Sequence, residues 1–123
     1  MLDELDPLDF WRLAQRLGEA GADDTQLRTA VGRAYYAIFL IARQATGVVD
    51  RHDAHTKVLR ELNQRSLGAA GSELDQLRKL REVADYELRP ELARHRDWRA
   101  NWLRAALLTE RILKRFRDAG IAT

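Results

Sequence analysis

The chain has 123 residues, a formal net charge of +2 at pH 7 and no cysteine. This length suits one domain with its own core, predicted over residues 1–123, and the lack of cysteine excludes disulfides and thiol nucleophiles. The acidic start, MLDELDPLDFW, does not predict a signal peptide, and no stretch has the roughly 18 apolar residues of a membrane span. We therefore expect a cytoplasmic protein without a membrane segment.

Arginine greatly outnumbers lysine among the 21 basic residues. Arginine is favoured where a protein contacts phosphate or another protein. A GC-rich genome would produce the same bias through its codons. Composition leaves both explanations open.

The first predicted helix begins at Asp6 and Pro7, which suit the N-cap and the first helical position. Gly18 and Gly21 are expected to end it. The apolar residues between these limits recur at helical spacing and predict one buried stripe. They are Phe10, Leu13, Ala14 and Leu17.

The second predicted helix contains the most apolar run of the chain, RTAVGRAYYAIFLIAR at residues 28–43. Asp23 and Gln26 have the spacing of a capping box. The helix is expected to run to about Thr46, with Gly47 as its C-cap. Because the run is apolar on nearly all sides, we predict a buried helix around which the others pack.

Two further helices are predicted between residues 53 and 90. Asp53 is expected to cap the third, and Ser72 the fourth, with the flexible stretch SLGAAG (66–71) between them. Pro90 is expected to end the fourth helix, because the residue before a proline avoids the helical conformation. The third helix has an apolar stripe that includes a histidine: His55, Val58, Leu59 and Leu62.

A fifth helix is predicted from near Asp97 to about Asp118. Its buried seam has heptad-like spacing and consists of Trp98, Trp102, Ala105, Thr109, Ile112 and Phe116. Leu103 and Leu107 lie away from this seam and suggest either a homodimer interface or a helix central in the core. The whole pattern predicts an all-α fold, an up-and-down antiparallel bundle of about five helices.

Few residues carry recognisable chemistry. His52 and His55 have the spacing of half a metal site, but no further His or Cys cluster completes it, so we expect no metal and no cofactor. The sequence also lacks a glycine-rich phosphate loop and a nucleophile elbow. Arginines near the apolar stripes are therefore the main candidates for a site.

Arg81 and Asp85 are one helical turn apart at the border of the fourth helix's stripe. They form either a simple intrahelical ion pair or an arginine aimed by a carboxylate at a phosphate or oxyanion. Arg33 shares a side of the second helix with Tyr36. It is either an arginine at the edge of the core or a ligand-binding residue in one cleft with Arg81, where Gly32 permits close helix approach.

Three blocks together resemble the HEPN domain, whose name stands for higher eukaryotes and prokaryotes nucleotide-binding. They are RAYYAIF (33–39), His55 at the start of the next helix, and LRKLREVADY (77–86). The resemblance covers the second to fourth predicted helices in the family's order. It implies a HEPN-like helical domain that usually dimerises.

The resemblance also implies a functional context. Many HEPN proteins are metal-independent ribonucleases with an Arg-x4–6-His motif at the dimer cleft. Others are inactive modules that bind nucleotides or RNA. Small stand-alone members are often paired with a minimal nucleotidyltransferase as toxin and antitoxin, and the transferase can adenylylate a tyrosine near the motif.

Carried over to this chain, the motif arginine corresponds to Arg81 and the histidine position to Tyr86, which departs from the family pattern. A tyrosine, with a reference pKa of about 10, is a poor general base at neutral pH. On a straight helix the two residues point about 140° apart, and Asp85 is better placed beside Arg81. An alternative Arg-x5-His motif runs from Arg89 to His95.

Two functions are therefore predicted as alternatives. The first is a metal-independent endoribonuclease of a toxin–antitoxin or defence system, in which Arg81 stabilises the phosphorane and Tyr86 or His95 handles the proton. The second is a non-catalytic module that binds a nucleotide or a nucleotidyltransferase antitoxin through Arg33, Tyr36 and Arg81. A helical dimer without a ligand is a third interpretation.

Overall fold

The computed structural model describes residues 5–87 and 97–123, which form an all-α bundle of five helices. The helices are α1 (Leu8–Leu17), α2 (Asp24–Thr46), α3 (Ala54–Gln64), α4 (Gly68–Tyr86) and α5 (Trp98–Asp118). No strand occurs in these residues. The predicted fold class is confirmed.

Helix α2 is the centre of the bundle and packs against each of the other four helices. Its apolar run is buried, as its composition predicts. The fully enclosed aliphatic side chains within the run are Ala30, Val31, Ala34, Ala37, Ile38 and Ala42. The other helices therefore build the core around α2.

Both ends of α2 follow the sequence signals. The Asp23 carboxylate accepts from the Gln26 amide at 2.8 Å, and the Gln26 side chain accepts from the Asp23 amide at 2.9 Å. Gly47 ends the helix in the left-handed conformation (φ 72°). At the start of α1, the Asp6 carboxylate accepts from the Leu8 amide at 2.9 Å. The capping predictions for α2 are confirmed, whereas α1 begins one residue later than predicted, with Pro7 rather than Asp6 at the N-cap position.

Two predictions for the middle of the chain are wrong. Asp53 precedes α3 but adopts a left-handed conformation (φ 51°) and makes no capping hydrogen bond, because its carboxylate faces His52 Nε2 at 3.2 Å. The stretch 66–71 is largely helical, since α4 begins at Gly68, and Ser72 lies inside the helix rather than at its cap. Pro90, the predicted end of α4, lies outside the described residues.

Gly71, one of the residues that suggested a flexible stretch at 66–71, lies where α4 packs against α3. Gly71 is buried in α4. A Cβ added to it would lie 3.7 Å from Leu59 Cδ2 and 3.8 Å from Leu62 Cβ, both on α3. The small residues of SLGAAG thus let α3 and α4 approach each other, and a pattern typical of a flexible linker is part of the core.

Helix α5 begins where Asp97 accepts a hydrogen bond from the Ala100 amide at 2.9 Å. All six residues of the predicted seam are buried. By contrast, Leu103 and Leu107 are 58% and 50% exposed, so they belong to the surface and not to the core. None of the helices in residues 5–87 and 97–123 combines the length and apolar character that a membrane span requires.

Helices α2 and α4 run antiparallel. Arg28, near the start of α2, contacts the end of α4 at Ala84, whereas Tyr35, further along α2, contacts the earlier residue Arg81. The first half of α2 is therefore paired with the second half of α4. This pairing brings the two blocks that carry the family resemblance side by side.

Three arginines each reach from one helix to the C-terminal end of another, where backbone carbonyl groups lack helical partners. They donate hydrogen bonds to carbonyl oxygens and are Arg99 at the end of α1, Arg65 at the end of α2 and Arg28 at the end of α4. A cation there also interacts favourably with the helix dipole. Part of the arginine excess is therefore structural.

Candidate functional site

A cleft of about 420 Å³ opens where the first half of α2 faces the end of α4. The two helices approach closely at Gly32, where an added Cβ would lie 3.4 Å from Asp85 Oδ1. We call this cavity the α2–α4 cleft, and it is lined by Thr25, Arg28, Thr29, Gly32, Arg33, Ala84 and Asp85. A volume of this order is within the range of small-molecule sites, about 300–1,000 Å³.

Arg33 is unusual within the α2–α4 cleft. Its Nε is buried and has no hydrogen-bond partner among the described residues. Its guanidinium carbon lies 6.0 Å from the centre of the Phe10 ring and 5.7 Å from that of Tyr36. These two rings meet edge to face at 5.0 Å. Arg33 is thus held by aromatic contacts while this donor stays unused.

Arg81 and Asp85 form the predicted intrahelical pair, with Nε 2.9 Å from Oδ2 and both side chains about one third exposed (35% and 37%). The guanidinium carbon also lies 5.6 Å from the centre of the Tyr35 ring and 5.9 Å from that of Tyr86. Arg81 is therefore bound to one carboxylate and flanked by two aromatic rings.

Arg81 and Tyr86 lie close together, although Asp85 is the nearer partner of Arg81, as helix geometry predicts. Their Cα–Cβ directions diverge on a straight helix, but the long arginine side chain spans that separation. Tyr86 is the last residue of α4 and is 71% exposed, so its ring is not held in the core. The motif positions therefore contact each other through the guanidinium and the ring.

The predicted single cleft for Arg33, Arg81 and Asp85 is divided into two cavities. Arg33 and Asp85 line the α2–α4 cleft. Arg81 and Tyr86 line a neighbouring cavity of about 470 Å³ on the outer side of α4. The Arg81–Asp85 ion pair connects the two linings, because each partner belongs to a different cavity.

A hydrogen-bonded chain of three side chains, which sequence reasoning missed, lies behind Arg81. The Tyr35 hydroxyl is 2.8 Å from His55 Nδ1, and His55 Nε2 is 3.3 Å from Asp75 Oδ1. A carboxylate can only accept, so in neutral His55 the proton is on Nε2 and Nδ1 accepts from the hydroxyl. We call these residues the Tyr35–His55–Asp75 chain.

Burial and hydrogen bonds shift the pKa values along this chain. Burial raises the pKa of Tyr35 to about 12, although the nearby Arg81 opposes this shift. Burial lowers the pKa of His55 despite its hydrogen bond to Asp75. Burial alone would raise the pKa of Asp75, but hydrogen bonds from His55, Lys79 and Arg78 hold it below its usual value. At neutral pH the chain therefore contains a phenol, a neutral imidazole and a carboxylate.

One sequence signal could have indicated the chain. His55 lies on the apolar stripe of α3, beside the buried Val58 and Leu62. A half-buried imidazole needs hydrogen-bond partners, and the tyrosines of the apolar α2 run were candidates for that role. Asp75 could not be identified in this way, because its contact with His55 depends on how α3 and α4 pack against each other.

His52 and His55, which have the spacing of half a metal site, each have other partners. His52 Nε2 pairs with Asp53, and both ring nitrogens of His55 face Tyr35 and Asp75. Within residues 5–87 and 97–123, no group of three or more His, Asp or Glu side chains is arranged to hold a metal ion. The alternative motif residues Arg89 and His95 lie outside the described residues.

The chain was compared with protein-family models, curated proteins and solved structures. No protein-family model, no curated protein and no solved structure matches the chain.

Proposed function

We propose that the protein is a HEPN-type module of a toxin–antitoxin or defence system that binds a phosphate-bearing ligand, a nucleotide or RNA, across the α2–α4 cleft and the neighbouring cavity that Arg81 lines. The observation that carries this proposal is the buried Nε of Arg33, which has no hydrogen-bond partner among the described residues. A buried donor without a partner costs about 1–3 kcal/mol. Because this nitrogen is covered by the protein, the guanidinium must turn toward the cleft before a phosphate oxygen can accept from it, and that contact would remove the cost.

The comparison with other arginines supports this assignment. Arg28, Arg65 and Arg99 satisfy backbone carbonyl groups at helix ends, so their positions have a structural reason. The Nε of Arg33 makes no such contact in the described part of the chain, although Arg33 lines a cleft large enough for a small ligand. Charge-assisted hydrogen bonds from arginine to phosphate are among the stronger polar contacts in proteins.

Binding is favoured over catalysis by the residue types around Arg81. Tyr86 occupies the position where the family motif has histidine, and a tyrosine with a reference pKa of about 10 is a poor base at neutral pH. The nearby histidine, His55, is hydrogen-bonded to Tyr35 and Asp75. The described residues thus offer Arg81 as a phosphate ligand more clearly than they offer a proton acceptor.

A metal-independent endoribonuclease is the second candidate, favoured by the contact between Arg81 and Tyr86 at 5.9 Å. In that reaction the 2′-hydroxyl of RNA attacks the adjacent phosphate. Arg81, oriented by Asp85, would stabilise the phosphorane charge, and Tyr86 or His95 would transfer the proton. Arg89 and His95 form the alternative motif for the same reaction.

Two protein partners belong to the proposal. The HEPN resemblance supports a homodimer, and the exposed Leu103 and Leu107 on α5 offer an apolar surface for it. The same resemblance supports a nucleotidyltransferase antitoxin as the second partner.

Fluorescence anisotropy with a labelled single-stranded RNA, followed by competition with ATP, tests the binding function. We expect Arg33→Met and Arg81→Ala each to weaken binding about tenfold or more, since each removes a hydrogen bond to a charged group. Arg60→Ala on α3 is the matched control, because Arg60 is exposed and far along the sequence from the cleft. Displacement by ATP identifies a nucleotide site, and resistance to ATP identifies an RNA site.

The same RNA, incubated with excess protein and EDTA, tests the endoribonuclease. Cleavage by the wild type that Arg81→Ala abolishes would establish catalysis at this site. Intact RNA at high protein excess would exclude the second candidate. If neither RNA nor ATP binds, the proposed function is wrong; if both variants bind like the wild type, the ligand lies elsewhere.

A further inference from the structure

The Tyr35 end of the Tyr35–His55–Asp75 chain contacts the guanidinium of Arg81. Asp75 is 3.3 Å from His55, His55 is 2.8 Å from the Tyr35 hydroxyl, and the Tyr35 ring centre is 5.6 Å from the Arg81 guanidinium carbon. These contacts run from α4 through α3 and α2 and return to α4. We propose that His55 is a positioning residue for Arg81, because in its neutral form it fixes Tyr35, whose ring holds the guanidinium. The consequence for ligand binding rests on the proposed function.

Tyr35 is well suited to this role because its ring is rigidly packed. It is 7% exposed and stacks on Phe39, with ring centres 5.7 Å apart. Its hydroxyl still needs a partner in this buried setting, and His55 Nδ1 supplies one. The face of the ring is then presented to Arg81 in one orientation, which favours a cation–π contact.

Arg81 in turn depends on that ring for its direction. Its side chain is 35% exposed and its ion pair with Asp85 uses Nε. An ion pair at such exposure contributes little to holding the side chain in place. The rings of Tyr35 and Tyr86 on the guanidinium therefore restrict where the remaining N–H groups point. A guanidinium with fixed donors loses less conformational entropy when a phosphate binds.

The charges around His55 make the arrangement sensitive to its protonation. On α4 the imidazole faces Asp75, Arg78 and Glu82, and on α2 it faces the Tyr35 hydroxyl. A protonated His55 has donors on both nitrogens and cannot accept from Tyr35. The hydroxyl must then rotate or lose its partner, so we expect acid pH to release Tyr35 and loosen Arg81.

NMR of the Arg81 Nε–H group tests this coupling without any ligand. In the wild type we expect its chemical shift and solvent exchange to change as the pH falls from 7.5 to 5. Tyr35→Phe keeps the ring but removes the hydroxyl, so its Arg81 signal should be mobile at pH 7.5 and independent of pH. A merely structural role for Tyr35 would lower stability without removing this pH profile.

His55→Gln is the conservative variant. The glutamine amide can donate to Asp75 and accept from Tyr35, with the separation of its two polar atoms matching that of the ring nitrogens, but it does not titrate. We expect an ordered Arg81 signal in this variant that no longer changes between pH 7.5 and 5. His52→Gln, at an exposed histidine next to α3, is the matched control and should keep the wild-type profile.

Binding of the labelled RNA adds a functional arm. Tyr35→Phe should bind about fivefold more weakly than the wild type at pH 7.5, because a ring without its hydrogen bond to His55 no longer holds Arg81 in one orientation. An Arg81 signal that is identical in the wild type and Tyr35→Phe at every pH overturns the inference, even if RNA binds. If the signal is coupled to His55 but neither RNA nor ATP binds, the positioning role stands and the proposed function fails.

Discussion

The guanidinium carbon of Arg28 lies 5.0 Å from the centre of the Trp98 ring, although the two residues belong to α2 and α5. The same guanidinium donates to the carbonyl oxygens of Ala84 at 2.8 Å and Val83 at 3.4 Å, and also to that of Glu87. One side chain of α2 therefore fastens the end of α4 and the start of α5.

Arg28→Ala is expected to destabilise the fold by about 2–3 kcal/mol, because hydrogen bonds from a charged donor and a cation–π contact are lost together. Arg28→Lys should recover only part of this loss, since an ammonium lacks the planar fork that reaches several carbonyl groups. Chemical denaturation with far-UV circular dichroism measures both. Arg60→Ala, at an exposed site on α3, is the control. An equal loss of stability in this variant would contradict the proposed role of the Arg28 contacts.

The helices could be predicted from the sequence because their signals are local. The capping box at Asp23 and Gln26 and the left-handed Gly47 depend on neighbours a few residues away, and both are as predicted. The start of α4 was missed because it depends on packing against α3: Gly71 is buried in α4 and lies beside Leu59. Local chemistry is readable from the sequence, whereas contact between helices requires their arrangement in space.

Alanine substitutions at Gly18 and Gly71 test this dependence on packing, because we expect the first to lower stability and the second to keep or raise it. A Cβ on Gly18 would lie 2.2 Å from Trp102 Cε2, and Trp102 is a core residue that is 5% exposed. We expect Gly18→Ala to cost about 1–3 kcal/mol through overpacking. Gly71→Ala meets only ordinary contacts near 3.7 Å, and we expect it to be neutral or stabilising by up to about 1 kcal/mol, because alanine favours helix.

Thermal unfolding of the two glycine variants, measured side by side, decides the comparison. The expected order of melting temperatures is Gly71→Ala equal to or above the wild type, with Gly18→Ala clearly below. A Gly18→Ala protein as stable as the wild type would mean that the Trp102 ring is free to move.

The site was only partly readable from the sequence. Helical spacing identified the Arg81–Asp85 pair, because residues four apart share a face. It could not identify the link from Tyr35 through His55 to Asp75, since these residues lie on three helices whose mutual orientation no local signal contains. The division of the predicted cleft into two cavities has the same origin, because it depends on which side of α4 each arginine reaches.

Arg33→Met should separate stability from function. The buried Nε of Arg33 lacks a partner among the described residues, so its removal eliminates a desolvation cost of about 1–3 kcal/mol. Methionine still fills the space beside Phe10 and Tyr36. We expect the free energy of unfolding to be unchanged or higher, while RNA or nucleotide binding falls. A variant that is clearly less stable would indicate a structural role for Arg33 instead.

Stability should fall as the pH drops below neutrality, with His55 as one cause. Burial holds the pKa of His55 in the folded protein below its ordinary value of 6.5. The unfolded chain therefore takes up the proton first, and protonation favours unfolding between 6.5 and the lower folded pKa. Urea denaturation from pH 8 to 5 should show this loss in the wild type and a flatter profile in His55→Gln. Equal slopes for the two proteins would contradict it.

The exposed leucines of α5 provide the last test, which concerns the proposed homodimer. Leu103 and Leu107 lie one turn apart and are 58% and 50% exposed, so glutamate at both sites removes an apolar surface without entering the core. We expect the wild type to sediment as a dimer and Leu103→Glu/Leu107→Glu as a monomer. Substitutions at such surface sites usually change stability by no more than about 0.5 kcal/mol.

Sedimentation equilibrium should include Arg60→Glu on α3, because this exposed substitution changes the net charge by the same amount as the two leucine replacements. Dissociation of the leucine variant alone would assign the interface to α5, since charge repulsion in general would dissociate both variants. A dimeric leucine variant would place the interface on another face, and a monomeric wild type would contradict the homodimer itself. Each arm is independent of ligand binding, because neither leucine lines the α2–α4 cleft.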